Sequence, residues 1–249
     1  MQPAYDAVKM NDPGGVQSTT RANPTQSQKL ESVTMTDHIR PHIDQPAGGA
    51  QRRPQQRSIA TRAAIVEAFA IAFDTAGYAA TTMNDVVTAP NSLTKGSVYF
   101  HFASKEAIAQ EFIDGWNSAV AQAFSGAAAA GGSIAEQLRA VFASLAERID
   151  NDRSIRAGFK LTLDPSIDGA HASYRRWIDT TSDLVEGGIH SGSMSDTVMS
   201  RRLGWNLCSG FVGAVHSVSI LREDLDLSAR TADMLSSYLI GSAAEGKEQ

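Results

Sequence analysis

Thr94-Lys95-Gly96-Ser97-Val98-Tyr99-Phe100-His101-Phe102-Ala103-Ser104-Lys105-Glu106 is the stretch that decides how this chain is read. It opens on a hydroxyl residue suited to capping a helix, and it puts a cation where the helix end is already positive. Pro90 and the turn residues Asn91-Ser92 precede it, so the helix that starts after Thr94 is a separate short element ending near His101. Upstream, Thr82-Met83-Asn84-Asp85 pairs a hydroxyl with an acid three residues on, a capping-box pattern, and Pro90 forbids that helix from running much past Thr88. Two short helices around the turn Ala89-Pro90-Asn91-Ser92 make a helix-turn-helix, the second helix being the one that enters a DNA groove. Thr94 and Ser97 offer hydroxyl donors to phosphates or base edges, Lys95 adds charge, and Gly96 lets the backbone approach closely. Val98, Phe100 and Phe102 are expected to face a small core, with Tyr99 and His101 turned outward.

Working outward, Ile59, Ala63, Val66, Ala70 and Phe73 recur at helical spacing, which predicts a first helix over 57–76 closed by Gly77. Ser104 caps a long fourth helix from Lys105 to about Ser125, with Ile108, Phe112, Trp116, Val120 and Phe124 on one side; the Ala/Gly stretch 126–132 is expected to break it. Further helices are predicted over 133–149, 153–163, 171–190, 195–222 and 228–243, and no alternating strand or hairpin signal is found. The fold class is therefore all-α. The expected organisation is a disordered extension rich in Gln, Pro, Thr and Ser over 1–53, a helix-turn-helix domain over 54–103, and a helical ligand-binding and dimerisation bundle over 104–249. Met10 and Met35 leave later translation starts open.

The net charge of −5 is unevenly spread. Residues 51–105 hold six Lys/Arg against three Asp/Glu, whereas residues 106–249 hold twelve against nineteen. A short basic segment on an acidic body suits a protein that touches phosphates with one end. Arg52, Arg53 and Arg57 are either a solvated run or an arm adding phosphate contacts. No run approaches a membrane span, the N-terminus lacks the apolar stretch of a signal peptide, and the single Cys208 excludes a disulfide or cysteine-rich zinc site within the chain. A cytoplasmic location is expected. Nucleophile elbows, phosphate-binding glycine loops and zinc-binding His motifs are missing from the sequence, so neither an enzyme nor a cofactor is expected.

The run from about Arg57 to Phe112, and TKGSVYFHFASKEAIAQ above all, resembles the recognition-helix signature of the TetR family. Tyr-Phe-His-Phe-Ala-Ser-Lys-Glu is especially similar to the γ-butyrolactone (A-factor type) autoregulator receptors of that family. The resemblance implies operator contacts from Lys95, Tyr99 and His101, and phosphate contacts from Lys105 and Thr82. One departure is a helix 2–helix 3 turn one residue longer than the family spacing, with Pro90 inside it. The likeness continues in Arg156-Ala157-Gly158-Phe159-Lys160-Leu161-Thr162-Leu163-Asp164 and in Tyr174-Arg175-Arg176-Trp177-Ile178-Asp179, which implies that Trp177 lines a ligand pocket. Gly210-Phe211-Val212-Gly213 falls where those receptors carry Ser-Phe-Thr-Gly, so Val212 stands in for a threonine hydroxyl: either the ligand differs or the chain is a ligand-insensitive pseudo-receptor. Thr162, Trp205 and His216 are further polar candidates on apolar faces, and Phe211 borders the same segment.

The function this implies is a homodimeric repressor. It would be released from pseudo-palindromic double-stranded operator DNA by a small hydrophobic signalling molecule of γ-butyrolactone, furan or butenolide type, in control of secondary metabolism. The alternative is a repressor of the same fold that answers a drug or metabolite. Val198, Trp205, Phe211, Val215 and Val218, then Leu235 and Leu239, form apolar stripes on the last two helices; in TetR proteins these helices pair across a dimer, but such stripes also pack cores within one chain.

Overall fold

The computed structural model describes residues 49–87, 93–221 and 226–244, and the described residues fold into nine helices without a strand. The extension expected to be disordered and the turn Ala89-Pro90-Asn91-Ser92 lie outside the described residues, apart from the extension's last few residues, which enter the first helix. Helix α1 (Gly49–Ala76) begins upstream of the expected residue 57 and ends where Gly77 takes a left-handed φ of 80°. Its buried side is Ile65, Ala68, Phe69, Ala70 and Phe73; of the expected stripe Ala70 and Phe73 are buried, Val66 is half-buried, and Ile59 and Ala63 are exposed. Helices α2 (Met83–Val87) and α3 (Lys95–His101) follow.

Helix α4 (Lys105–Ala130) does not break at the Ala/Gly stretch. Alanine is the best helix former, so the run carries the helix on until Gly131 turns left-handed, with φ 73°. A Ser133–Glu136 capping box starts α5 (Ile134–Asn151), and the Asp152 carboxylate caps α6 (Arg153–Thr162). Helices α7 (Ala170–His190), α8 (Val198–Leu221) and α9 (Leu227–Ala244) complete the bundle.

Two cores form. The smaller joins Ile65, Phe69, Phe73, Val86, Val98 and Phe102 to Ile108 and Phe112 of α4. The larger gathers Trp116 and Val120 of α4 with Leu138, Phe142 and Leu145 of α5, Trp177 of α7, Leu207 and Phe211 of α8, and Leu235 of α9. Helices α4 and α6 belong to both. On α6, Ala157 and Leu161 enter the smaller core and Phe159 the larger. Gly158 lets α6 lie against α4: a Cβ there would stand 2.2 Å from the Phe112 carbonyl oxygen. No described helix is long and apolar enough to cross a membrane.

Candidate functional site

Helix α3 is held by a complete capping box. The Ser97 amide donates to Thr94 Oγ1, the Thr94 amide donates to Ser97 Oγ (both 3.1 Å), and the Ser97 hydroxyl donates to the Thr94 carbonyl at 2.8 Å. Ser97 thus spends its proton inside the cap and meets other groups as an acceptor. Val98 and Phe102 plug into the smaller core, which turns Lys95, Gly96 and Tyr99 to the surface and leaves His101 half-buried. The Lys95 ammonium lies 5.8 Å from the Tyr99 ring centre.

Phe100 departs from expectation: it is 80% exposed. Successive helical residues are 100° apart, so a residue two after Val98 points almost directly away from it. Placing Val98, Phe100 and Phe102 on one face applied a two-residue period to a helix. The outward surface of α3 is therefore Lys95, Gly96, Tyr99 and Phe100, a cation and two aromatic rings around a bare backbone.

Lys105 is tied down. Its Nζ donates to the Tyr78 carbonyl at 3.0 Å and sits 4.1 Å from the Tyr78 ring centre. The Tyr78 hydroxyl donates to Glu106 at 3.1 Å. Burial and then the Glu106 carboxylate push that phenol up to about 12, so it stays a donor. Thr82 is exposed before α2, its amide donating to the Asp85 carboxylate at 2.6 Å. Arg57 is exposed on α1, while the Arg52 and Arg53 side chains lie outside what is described. Arg62 stands 5.1 Å from the Phe102 ring centre and pairs with Glu111.

In the larger core, Trp177 is buried within a set of aromatic rings. Trp116 (5.5 Å), Phe211 (5.8 Å), Tyr174 (5.9 Å), Phe142 (6.0 Å) and Phe159 (6.2 Å) surround it, measured between ring centres. The indole N–H groups of both Trp116 and Trp177 are buried without a hydrogen-bond partner. An unpaired buried donor costs about 1–3 kcal/mol, so two in one cluster need an account. The Thr231 hydroxyl on α9, between Leu227 and Leu235, is buried without a partner as well. Nearer Trp177 the polar groups are satisfied: Thr162 donates to the Phe159 carbonyl at 2.7 Å, Thr181 to the Trp177 carbonyl at 2.8 Å, and the Cys208 thiol to Thr181 at 3.4 Å. Burial pushes the Cys208 thiol up to about 12, so it is neutral.

Of the residues singled out from the sequence, Trp177 and Phe211 come together in this cluster, and Val212 packs half-buried against it. Thr162 is buried with its hydroxyl committed to the backbone. His216 and Trp205 are not on a core face: both are exposed, Trp205 by 54%. They lie on the side of α8 turned away from Phe211 and Val215, because the helix is apolar on more than one side. Trp116 entered the sequence reading only as part of an apolar stripe, and nothing in sequence distinguishes its N–H from a satisfied one.

A polar clasp joins the two cores. Lys160 Nζ donates to Asp74 Oδ1 at 2.7 Å and to the Asp74 carbonyl at 3.2 Å, and Arg156 Nε donates to Asp74 Oδ2 at 3.2 Å. Arg156 Nη1 also donates to the Ile149 carbonyl at 2.6 Å, so it bridges the ends of α1 and α5. Burial raises the Asp74 carboxyl, but Lys160 and then Arg156 outweigh it and hold the group below its ordinary range. The i,i+4 spacing of the two cations was the signal in the sequence, although their partner lies on another helix. A cleft of about 570 Å³ beside the clasp is lined by Ile149, Val215, Val218 and Leu227 and involves neither tryptophan.

A short capped helix presenting a cation and aromatic rings, seated on its own small core beside a larger helical bundle, defines a helix-turn-helix regulator. Residues 65–112 match the family described as bacterial regulatory proteins, tetR family. The structure of TylP, a TetR regulator from Streptomyces fradiae, is similar at 31% identity and a TM-score of 0.52, covering 76% of this chain and 81% of that one. The chain belongs to the TetR family of transcriptional regulators. The A-factor receptor protein of Streptomyces griseus is 32% identical over 140 residues, which is 56% of this chain and about half (48%) of that protein. A γ-butyrolactone receptor (ArpA-like protein) shares the fold with a TM-score of 0.59 at 23% identity, over 75% of this chain and 100% of that one.

Proposed function

We propose that this chain is a ligand-released repressor that binds pseudo-palindromic operator DNA as a homodimer and lets go when a small hydrophobic signal of γ-butyrolactone type enters the aromatic cluster around Trp177. The observation that carries the reading is the pair of unsatisfied indole N–H groups in an aromatic core one helix away from the helix-turn-helix. A lactone meets such a site with a carbonyl acceptor and an apolar body. Lys95, Tyr99 and Phe100 would face the major groove, with His101 and Thr82 beside them, and the tethered Lys105 keeps further N–H donors for a phosphate.

One recognition helix reads too few base pairs alone, so two copies are needed. Val198, Trp205, Ile220 and Leu221 on α8, with Ile240 on α9, leave large apolar side chains exposed, and a second copy would cover them. Release follows if ligand favours a spacing of α4 and α6 that α3 cannot use on DNA, since a ligand shifts an equilibrium only by its differential affinity. Domain limits of 54–103 for DNA binding and 104–249 for ligand and dimer contacts follow from this reading, with α4 and α6 shared.

The test is a duplex selected from the protein's own promoter region, bound in solution and titrated with α-hexanoyl-γ-butyrolactone. Release at concentrations that leave an unrelated TetR–operator pair intact supports the reading; unaltered binding at saturation refutes it. Val212, which brings no hydroxyl to the cluster, favours a second reading in which the effector is a different metabolite or drug, and the same titration with a compound library separates the two.

A further inference from the structure

The Thr231 hydroxyl, buried on α9, has no partner; beside Trp177, however, Thr162, Thr181 and Cys208 each give their proton to another protein atom, whereas two indole N–H groups give theirs to none. Both belong to fully buried residues on different helices, α4 and α7, whose rings meet edge to face 5.5 Å apart. The cluster therefore has an excess of donors. It also lacks charge: Arg156 and Lys160 on α6 are turned to Asp74, and the ring-bearing neighbours are Phe142, Phe159, Tyr174 and Phe211. An anion would arrive without a counter-charge in an apolar surround, and a cation, although the ring faces attract it, brings no acceptor for the two N–H groups.

Resting on the reading of this cluster as the ligand site, we propose that Trp116 and Trp177 form a paired donor site for a neutral ligand carrying two acceptor oxygens on an apolar body. Trp116 is a second recognition residue. A β-dicarbonyl such as an acyl lactone satisfies both indoles at once, whereas a lactone with a plain alkyl side chain satisfies one. A ligand whose side-chain oxygen is a hydroxyl brings a further donor to a place already rich in donors. Room is made by turning rings, because each edge-to-face contact is individually weak.

Isotope-labelled full-length protein shows three indole N–H signals by NMR, from Trp116, Trp177 and Trp205, assigned with single Trp→Phe variants. Three probes are titrated: α-hexanoyl-γ-butyrolactone, α-hexyl-γ-butyrolactone, and an acyl cyclopentanone of the same chain length. The acyl lactone is expected to move the Trp116 and Trp177 signals downfield together and to leave Trp205, which lies outside the cluster, in place. The alkyl lactone is expected to move one signal and to bind roughly five- to tenfold more weakly, the worth of one hydrogen bond. Trp116→Phe and Trp177→Phe keep a ring and lose the N–H, and each should weaken the acyl lactone by a similar factor in a protein that still melts cooperatively. If the cyclopentanone moves both signals and no lactone does, the butyrolactone reading fails and the donor pair stands. If no dicarbonyl moves the Trp116 signal, or Trp116→Phe binds the dicarbonyl that moves it unchanged, or the alkyl lactone binds as tightly as the acyl lactone, the donor pair is overturned.

Discussion

Gly158→Ala tests the contact on which both cores depend. A methyl group at residue 158 would stand 2.2 Å from the Phe112 carbonyl oxygen, 2.9 Å from its carbon and 3.2 Å from Trp116 Cβ. An ordinary carbon–oxygen contact is about 3.3 Å, so α4 and α6 would have to part by about 1 Å. The obstacle is backbone, which no rotamer change relieves. Overpacking of a tight core costs about 1–3 kcal/mol, and a backbone clash belongs at the upper end, about 3 kcal/mol. For a folded unit of about 200 residues, each kcal/mol moves the melting temperature by roughly 2–4 °C, so a fall of about 6–12 °C is expected. Gly126→Ala is the matched control: it lies exposed in the same α4, with no atom within 4 Å of the added carbon. There alanine should gain about 0.5–1 kcal/mol and raise the melting temperature by about 1–4 °C. Circular dichroism melts of both variants decide the matter. A Gly158→Ala protein melting within about 2 °C of the parent would show that α4 and α6 are not in the close contact described.

Asp74→Asn should cost about 1–2 kcal/mol at neutral pH, with Lys160 partly screened by solvent. Because Lys160 and Arg156 depress the Asp74 carboxyl against the effect of burial, its stabilisation is present above the ordinary carboxylate range and lost as pH falls below about 4; the Asn variant should show a shallower acid limb in stability against pH. Lys95→Ala should weaken operator binding and lower the slope of log affinity against log salt by about one unit, and an unchanged slope removes Lys95 from the phosphate contacts. Phe100→Ala, at a residue 80% exposed, should leave the melting temperature within about 1 °C while weakening operator binding, and unaltered binding would take the ring out of the interface. Trp177→Ala should lose about 3–5 kcal/mol by opening a cavity among five rings, so a melting temperature equal to the parent's would contradict the packing described.

Much of the architecture was legible because its signals are local. Caps at Thr94, Ser104 and Ser133 and the stop at Gly77 each act within one turn of chain, so the order of helices follows from neighbours in sequence. The start of α3 could be read for the same reason: its Thr94 cap and its Lys95 cation depend on residues 94–97 alone. Where the reading slipped locally, as at Phe100 or at the continued end of α4, the right helical period and the helix propensity of alanine were enough to correct it.

Which face of a helix is buried is a different kind of question, and only the tertiary structure decided it. In α1, docking against α4 and α6 buried Ala70 and Phe73 of the expected stripe together with Ile65 and Phe69, which also have helical spacing, and left Ile59 and Ala63 exposed. In α8, Phe211 and Val215 went inward while Trp205 and His216 stayed outside, although the helix is apolar on more than one side. The Asp74 clasp joins residues more than eighty apart, and the unpaired state of Trp116 and Trp177 is defined by the acceptors missing around them in space. A residue's type sets what bonds it can make, but whether those bonds are made depends on neighbours that chain folding brings from elsewhere.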